Sequence, residues 1–326
     1  MTYSKTVALP VSPDEAYALI TEPERLRRWQ TVSAIVDLRA GGGYRWTITP
    51  GHTAAGTYRE IEPGRRIVFG WGWVGSDTLP PDASTVTITL EPAPDGGSLV
   101  TLDHAGLDGE QAKAHATGWD HYLERLQRIA LTGDAGADEW AAMPESLDPL
   151  SAAEAALAAL QPVLRNLTAD DQPKPTPCDE YTCHDLADHL MTSVAQLGSM
   201  AGATVTNPES GSLESRVSIM AAQAIDGWRA VDLAGTVPGP GGGEMPASMA
   251  AGILSIELAV HGWDIAQSSG QAFTLPDDLV AYIRGMAEQL VPGGRGRNFA
   301  DEVSPPAGAT ALDQLAAYTG RTPLTV

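Results

Sequence analysis

Residues 56–71 read GTYREIEPGRRIVFGW. Two runs rich in β-branched and aromatic residues, GTYREIE and RIVFGWGW (66–73), flank Pro63-Gly64, a dipeptide that interrupts regular structure. The stretch reads as strand, turn, strand. Working outward, VSAIVDL (32–38) and YRWTITP (44–50) precede it, and STVTITL (84–90) and SLVTLDH (98–104) follow. Gly41-Gly42-Gly43, Pro80-Pro81 and Asp95-Gly96-Gly97 supply the breaks between them. Residues 2 to 9 also alternate as a strand does.

Between that first strand and the set of six, a helix begins with Ser12 as cap, Pro13 in its first turn and Glu15 closing a capping box. Pro23 restarts it, and it runs to about Trp29. From about Gly109 to Leu131, His115, Trp119, Tyr122, Leu126 and Ile129 recur at spacings of four and three, so they share one helix face. The expected order is one strand, a helical pair, six strands and a long final helix. A curved antiparallel sheet wrapped around that helix encloses a cavity, which makes this part α+β.

Residues 132–149 shift to Gly, Ala, Asp and Pro and read as a linker. Beyond them strand signals nearly vanish. Helices are expected at about 149–167, 182–202, 212–234, 246–269 and 276–291, with a short one near 309–319. Thr182, with Asp185 three residues on, caps the second of these. The runs SGSLESR, TVPGPGGGEMP and VPGGRGRNFADEVSPP connect helices. The chain therefore divides into residues 1–131, a linker at 132–149, and an all-α part at 150–326.

In the first part, Ser12-Pro13-Asp14-Glu15-Ala16, Trp29, DLRAGGGYRW, GTYREIEPGRRIVFGW, TVTITL and HAGL…GWDHYLERL together resemble the SRPBCC, or START-like, superfamily in order and spacing. The resemblance implies a helix-grip fold with an internal cavity. It does not choose a function, because members bind lipids or polyketides, act as cyclases or assist chaperones. Read from the residues, the cavity wall is Tyr44, Trp46, His52, Tyr58, Phe69, Trp71, Trp73, His115 and Trp119. Aromatic residues are only 6% of the chain yet crowd into this half. Such side chains also fill ordinary cores, so the same set serves either reading.

In the second part, the helix PASMAAGILSIELAVHGWDIAQSS carries Glu257 among Ile253, Leu254, Ile256, Leu258 and Val260. A carboxylate there is costly to bury without a partner. His261 follows one helical turn later on the same face. The spacing alone does not distinguish a metal pair from a buried Glu–His hydrogen bond, which is the commoner use. His189, bordering the stripe of Leu186, Leu190, Ser193 and Leu197 on the helix expected at about 182–202, is the third candidate, whereas His184 lies on the polar side. Three protein ligands leave an open position, the catalytic pattern for zinc, and nitrogen and carboxylate donors also serve Ni, Fe or Mn.

TPCDEYTCHDLADHL, ELAVHGWDIAQSSGQ and ATALDQLAAYTGRTP resemble the DinB-like superfamily, in the actinobacterial branch similar to mycothiol-dependent maleylpyruvate isomerase. The resemblance covers about residues 150–324 and implies a four-helix bundle with a divalent metal on His189, Glu257 and His261. Tyr181 stands where that family usually has Trp. The resemblance implies thiol chemistry, with mycothiol or a similar thiol as cosubstrate. Arg295 and Arg297 in the loop GGRGRN are candidates to contact it, and an ordinary surface loop is the alternative. Trp263 and Asp264 are expected to fix the helix end, and Arg321 the carboxyl terminus. The leading expectation is a metal- and thiol-dependent transferase or isomerase whose START-like half binds a small hydrophobic or aromatic molecule. The alternatives are a non-catalytic sequestering or resistance protein, and a cyclase or hydrolase working in the START-like cavity. No catalytic side chain is singled out.

Composition narrows the partners. The 326 residues carry 41 acidic against 20 basic side chains, a net charge of −21, which opposes nucleic acid and anionic membranes. The local cluster Arg25-Leu26-Arg27-Arg28 reads as a solvated helix face. No uninterrupted apolar run reaches the ~18 residues of a membrane span, and the first residues do not read as a signal peptide. Cys178 and Cys183 fit reduced thiols, so a cytoplasmic location is expected; a homodimer is compatible with the sequence.

Overall fold

The computed structural model describes residues 2–94, 96–239 and 242–324. It separates into two compact units, Met1–Asp138 and Glu139–Val326. The protein is a mixed α+β chain.

The first unit holds seven strands: β1 (Thr2–Leu9), β2 (Ser33–Val36), β3 (Gly43–Thr49), β4 (His52–Glu62), β5 (Arg66–Trp71), β6 (Ser84–Pro92) and β7 (Ser98–Ala105). They form one antiparallel sheet in the order β1-β7-β6-β5-β4-β3-β2, so the six later strands are a meander and β1 closes its far edge. Strict alternation drives this arrangement. On β6, Ser84, Val86, Ile88 and Leu90 point inward, and on β7 Ser98, Val100, Leu102 and His104 do. Register shifts at Thr47/Thr49 and Tyr58/Glu60 mark bulges, which bend the strands that carry them. Gly70 is required by close approach, since a Cβ there would sit 1.8 Å from Asp82 Oδ1. That carboxylate accepts from Thr57 N at 2.9 Å and ties down the start of the β4–β5 hairpin. The turn expected at Asp95-Gly96-Gly97 includes Asp95, which lies outside the described residues.

Helices α1 (Pro13–Thr21), α2 (Pro23–Leu26) and α3 (Gly109–Thr132) complete the unit. Ser12 caps α1 through Glu15 N at 3.3 Å. The Glu15 carboxylate, however, turns to Arg25, where a capping box was expected. The basic cluster is correspondingly not a solvated face: Arg25 pairs with Glu15 and Glu22, Arg28 pairs with Glu24, and Arg27 is buried. The residues expected on one face of α3 are all buried in the core.

The stretch expected as a linker is built structure at both ends. Arg125 donates to the carbonyls of Gly136 and Ala137 at 2.9 and 3.0 Å, and Asp138 lies 3.0 Å from His121 Nε2. These contacts lay the segment after Gly133 back along α3. Residues Glu139–Ala142 then form a short helix, α4, with Ala141 buried.

The second unit continues with α5 (Pro149–Arg165), α6 (Cys183–Met200), α7 (Leu213–Arg229), α8 (Ala247–Ser269), α9 (Asp277–Gly294) and α10 (Ala311–Tyr318). Between α7 and α8 a small hairpin, β8 (Thr236–Pro238) with β9 (Glu244–Pro246), appears where only a loop was expected. Glycines and prolines hide so short a ladder from any periodicity. Helix α8 packs against α5, α6, α9 and α10. It is apolar nearly all round and buried, as a helix enclosed by others must be. Among the described residues it alone is long and apolar enough to cross a membrane, but most of that apolar stretch lies inside the unit.

Candidate functional site

Among the described residues, chemistry-bearing side chains gather at a place in each unit. In the first, a cavity of about 150 Å³ lies between the sheet and α3. Trp71, Trp73, His115 and Trp119, all expected there, form its aromatic wall. Gln30, Ile48 and Tyr122 complete it, with Ala114 and Gly118 on the helix side. Tyr44, Trp46 and Phe69 do not line it. They pack on one another at ring-centroid distances of 4.4 to 5.5 Å, deeper in the core, where a second void measures only about 10 Å³. Tyr58 joins that packed group, while His52 is exposed beside Trp73.

Two histidines thread the aromatic wall, and their protons can be located. His115 Nδ1 lies 2.8 Å from the Gln111 carbonyl, which only accepts, so Nδ1 carries the hydrogen. Its Nε2 accepts from Trp71 Nε1 at 3.2 Å. Ser84 Oγ donates to the Trp71 carbonyl at 2.9 Å, so its oxygen accepts from His104 Nε2 at 2.8 Å. His104 Nδ1 in turn accepts from Trp119 Nε1 at 3.0 Å. Both rings are therefore neutral with every nitrogen engaged. Burial agrees, holding His115 below the ordinary imidazole pKa; for His104 burial, aided by the neighbouring His115, brings it down to about 3. Neither ring has a nitrogen to spare for proton exchange with a ligand. His104 was legible as the inward end of the SLVTLDH alternation; Gln30 carries no sequence signal at all.

In the second unit, the ligand atoms of His189, Glu257 and His261 all lie within 4.8 Å of one another. Thr182 starts α6 through a full capping box with Asp185, which fixes the helix phase and presents His189 at the edge of the buried stripe. Tyr181 stacks on the His189 ring at 4.9 Å, its hydroxyl 3.5 Å from Nδ1. His189 and His261 meet edge to face at 5.2 Å. Along α8, His261 Nε2 is 3.5 Å from Glu257 Oε2, yet among the described residues no hydrogen bond satisfies that oxygen. His184 is exposed on the polar side, as its position in the sequence implies.

Asp264 and Arg321 differ from expectation. Instead of only ending the helix and fixing the terminus, they meet behind His261. Asp264 Oδ2 accepts from His261 Nδ1 at 3.1 Å and lies 3.4 Å from Arg321 Nε. The i, i+3 spacing from His261 was the available signal. Trp263 does serve as an anchor, donating to Asp313 at 2.9 Å. Burial disfavours charge on both His261 and Glu257. Even so, Asp264 and Glu257 push the His261 pKa up, and His261, Ser193 and His189 hold the Glu257 carboxyl down. His189 is lowered by burial and by the neighbouring His261.

Two imidazole nitrogens, one ionised carboxylate with an unsatisfied oxygen, and partial exposure of His189 and Glu257 together suit a divalent cation reached from solvent. Arg295 and Arg297 serve the chain itself: Arg295 donates to the carbonyls of Ala300 and Tyr318 and covers the Tyr318 ring, and Arg297 donates to Gly293. Cys178 and Cys183 are free thiols whose pKa burial raises, so neither is an activated nucleophile.

Comparison with known proteins matches residues 10–130 to the family of activator of Hsp90 ATPase homolog 1-like proteins. Among solved structures, CalU16 of Micromonospora echinospora is 26% identical, with 41% of this chain and 75% of that one covered at a TM-score of 0.35. The AHSA1-like protein of Rhizobium etli is 34% identical over 45% of this chain and 91% of its own, at a TM-score of 0.37. The Aha1 dimer of Colwellia psychrerythraea is 17% identical over 41% and 98%, at 0.36. Uncharacterized protein Rv0738 of Mycobacterium tuberculosis is 32% identical over 189 residues, 54% of this chain and 99% of that protein. That match is longer than the first unit, so it includes residues of the second. The chain thus belongs to the family of this mycobacterial protein and carries, at residues 10–130, an AHSA1-like domain of the START-like class.

Proposed function

We propose that the second unit is a DinB-like, metal-dependent transferase or isomerase acting with a low-molecular-weight thiol of the mycothiol kind, and that the first unit binds a small hydrophobic molecule. The observation that carries this reading is the convergence of His189, Glu257 and His261 around a carboxylate oxygen that has no hydrogen bond. The resemblance of TPCDEYTCHDLADHL and ELAVHGWDIAQSSGQ to thiol-using relatives supports it, as do two reduced cysteines, which fit a cytoplasmic setting.

The chain's own residues divide the work. His189 and His261 offer nitrogens, and Glu257 offers a carboxylate kept ionised by its surroundings. Asp264 holds the His261 Nδ1 hydrogen, which leaves Nε2 turned toward Glu257. Tyr181 supports the other imidazole by stacking. A divalent metal bound there, zinc first among Zn, Ni, Fe and Mn, would favour the thiolate form of a thiol that is otherwise mostly protonated at neutral pH. The partly exposed edge at His189 is the side from which a thiol and an electrophile reach the site.

In the first unit, the fully engaged nitrogens of His104 and His115 favour binding over acid–base catalysis. This weighs against a cyclase or hydrolase in that cavity. Metal analysis of protein purified without chelators tests the central reading. About one equivalent of divalent metal, lost in His261→Ala while the fold persists, supports it. Protein that carries no metal and takes up none of Zn, Ni, Fe or Mn makes the helical unit a scaffold and the chain a sequestering protein.

A further inference from the structure

We infer that the cavity of the first unit is built for a single-ring aromatic molecule bearing one neutral polar group, of the phenol class, with Gln30 as the residue that recognises that group. This rests on reading the cavity as a binding site. Size comes first: about 150 Å³ is the volume of an apolar cavity known to take one benzene ring. The walls come second, since Trp71, Trp73 and Trp119 present ring faces and edges to whatever enters.

Polarity decides the rest. The His115 nitrogens are closed off by Gln111 and Trp71, and the Trp119 N–H is taken by His104. Gln30 is different. It is only 4% exposed and lines the cavity, yet its carboxamide hydrogen-bonds no group among the described residues. Its backbone is held rigidly, Gln30 N donating to Leu26 O at 2.9 Å while Arg125 holds the adjacent Trp29 carbonyl at 2.9 Å. Its amide atoms therefore face the cavity itself, where a ligand's polar group can complete them. A hydroxyl or carbonyl on the ligand, which can accept from the amide and, for a hydroxyl, donate to it, does so. Among the described residues no Lys or Arg lines the cavity, so a carboxylate ligand meets no neutralising charge there.

Gly118 points the same way. A glycine inside a helix is unfavourable, yet this one sits midway along α3, lines the cavity, and has nothing within 4 Å of where a Cβ would be. Its missing side chain is part of the space.

The test is calorimetric titration of the full chain with phenol, toluene, benzoate and 1-naphthol. Phenol and toluene should bind, and benzoate and 1-naphthol should bind at least about tenfold more weakly than phenol. Gln30→Leu and Gln30→Met should each lower the phenol-to-toluene affinity ratio by about tenfold while toluene still binds. Gly118→Leu, which fills the space and improves the helix, should abolish both. An unchanged ratio in both Gln30 variants, or benzoate or naphthol binding as well as phenol, overturns the assignment of ligand class alone. Failure of phenol and toluene to bind the unaltered protein, or full binding in Gly118→Leu, overturns the cavity reading beneath it.

Discussion

Asp264 Oδ2 accepts the Nδ1 hydrogen of His261 at 3.1 Å, and Arg321 Nε stands 3.4 Å from the same oxygen. Asp264 is completely buried, so this carboxylate is a fixed part of the cluster and not a surface neighbour. It sets which His261 nitrogen faces Glu257. Asp264→Asn keeps the shape but removes the charge and offers an amide in place of one oxygen. Zinc affinity, measured by competition with a chromophoric chelator, should fall about 10- to 100-fold. Affinity equal to that of the unaltered protein would show that the contact does not orient His261 for a metal.

Glu257 gives a complementary expectation. In the metal-free protein its Oε2 is buried and without a hydrogen bond, so a bound cation should stabilise the second unit. At free zinc about 100-fold above its dissociation constant the gain is about 2.7 kcal/mol. Glu257→Leu should abolish that gain, read as a zinc-dependent rise in the unfolding midpoint, because the carboxylate ligand is gone.

The first unit should weaken in acid, with the sign set by His104. In the folded chain burial, and then His115, keep its pKa at about 3, whereas an unfolded chain takes up the proton near 6.5. Between those values the unfolded state binds more protons, so stability is fully present above about pH 6.5 and is lost as pH falls toward 3. The slope from this residue approaches about 1.4 kcal/mol per pH unit in the middle of that window. Urea unfolding followed by tryptophan fluorescence at pH 7, 5.5 and 4.5 checks it, and His104→Gln should flatten the trend.

Gly70 tests the hairpin on which the sheet turns. A methyl group there would meet the Asp82 carboxylate, which also holds the Thr57 amide and hydroxyl. Gly70→Ala should cost about 1–3 kcal/mol, measured by urea unfolding. Gly75→Ala offers a poor control because its φ of +81° is itself strained for alanine.

Residues 1–138 and 139–326, expressed separately, should each give a folded product by circular dichroism and cooperative melting, since each unit has its own buried core. The boundary belongs after Asp138 and not at residue 131, because Arg125 and His121 hold the intervening segment on α3. A 1–131 fragment should be less stable by about 1–3 kcal/mol, as Arg125 would lose its carbonyl partners.

Much of this was written locally in the chain. Alternation along 84–90 and 98–104 sets which side chains face inward, and Ser12, Thr182, Pro13 and Pro23 mark helix starts, because these are properties of a few adjacent residues. The Glu257–His261 pair was legible for the same reason, being one helical turn. What needed the tertiary structure was everything that depends on which distant segment lies opposite. Tyr44, Trp46 and Phe69 are as aromatic and as inward as Trp71 and Trp119, yet the first three are packed and the other two border empty space. Backbone period decides the face a side chain occupies; whether that face is filled is decided by α3 across the sheet, where Gly118 contributes no side chain. The place of Gln30 in the cavity wall, the approach of Arg321 to Asp264 and the placement of His189 beside α8 follow the same rule: the chemistry resides in the residue, and its surroundings come from parts of the chain that only folding brings near.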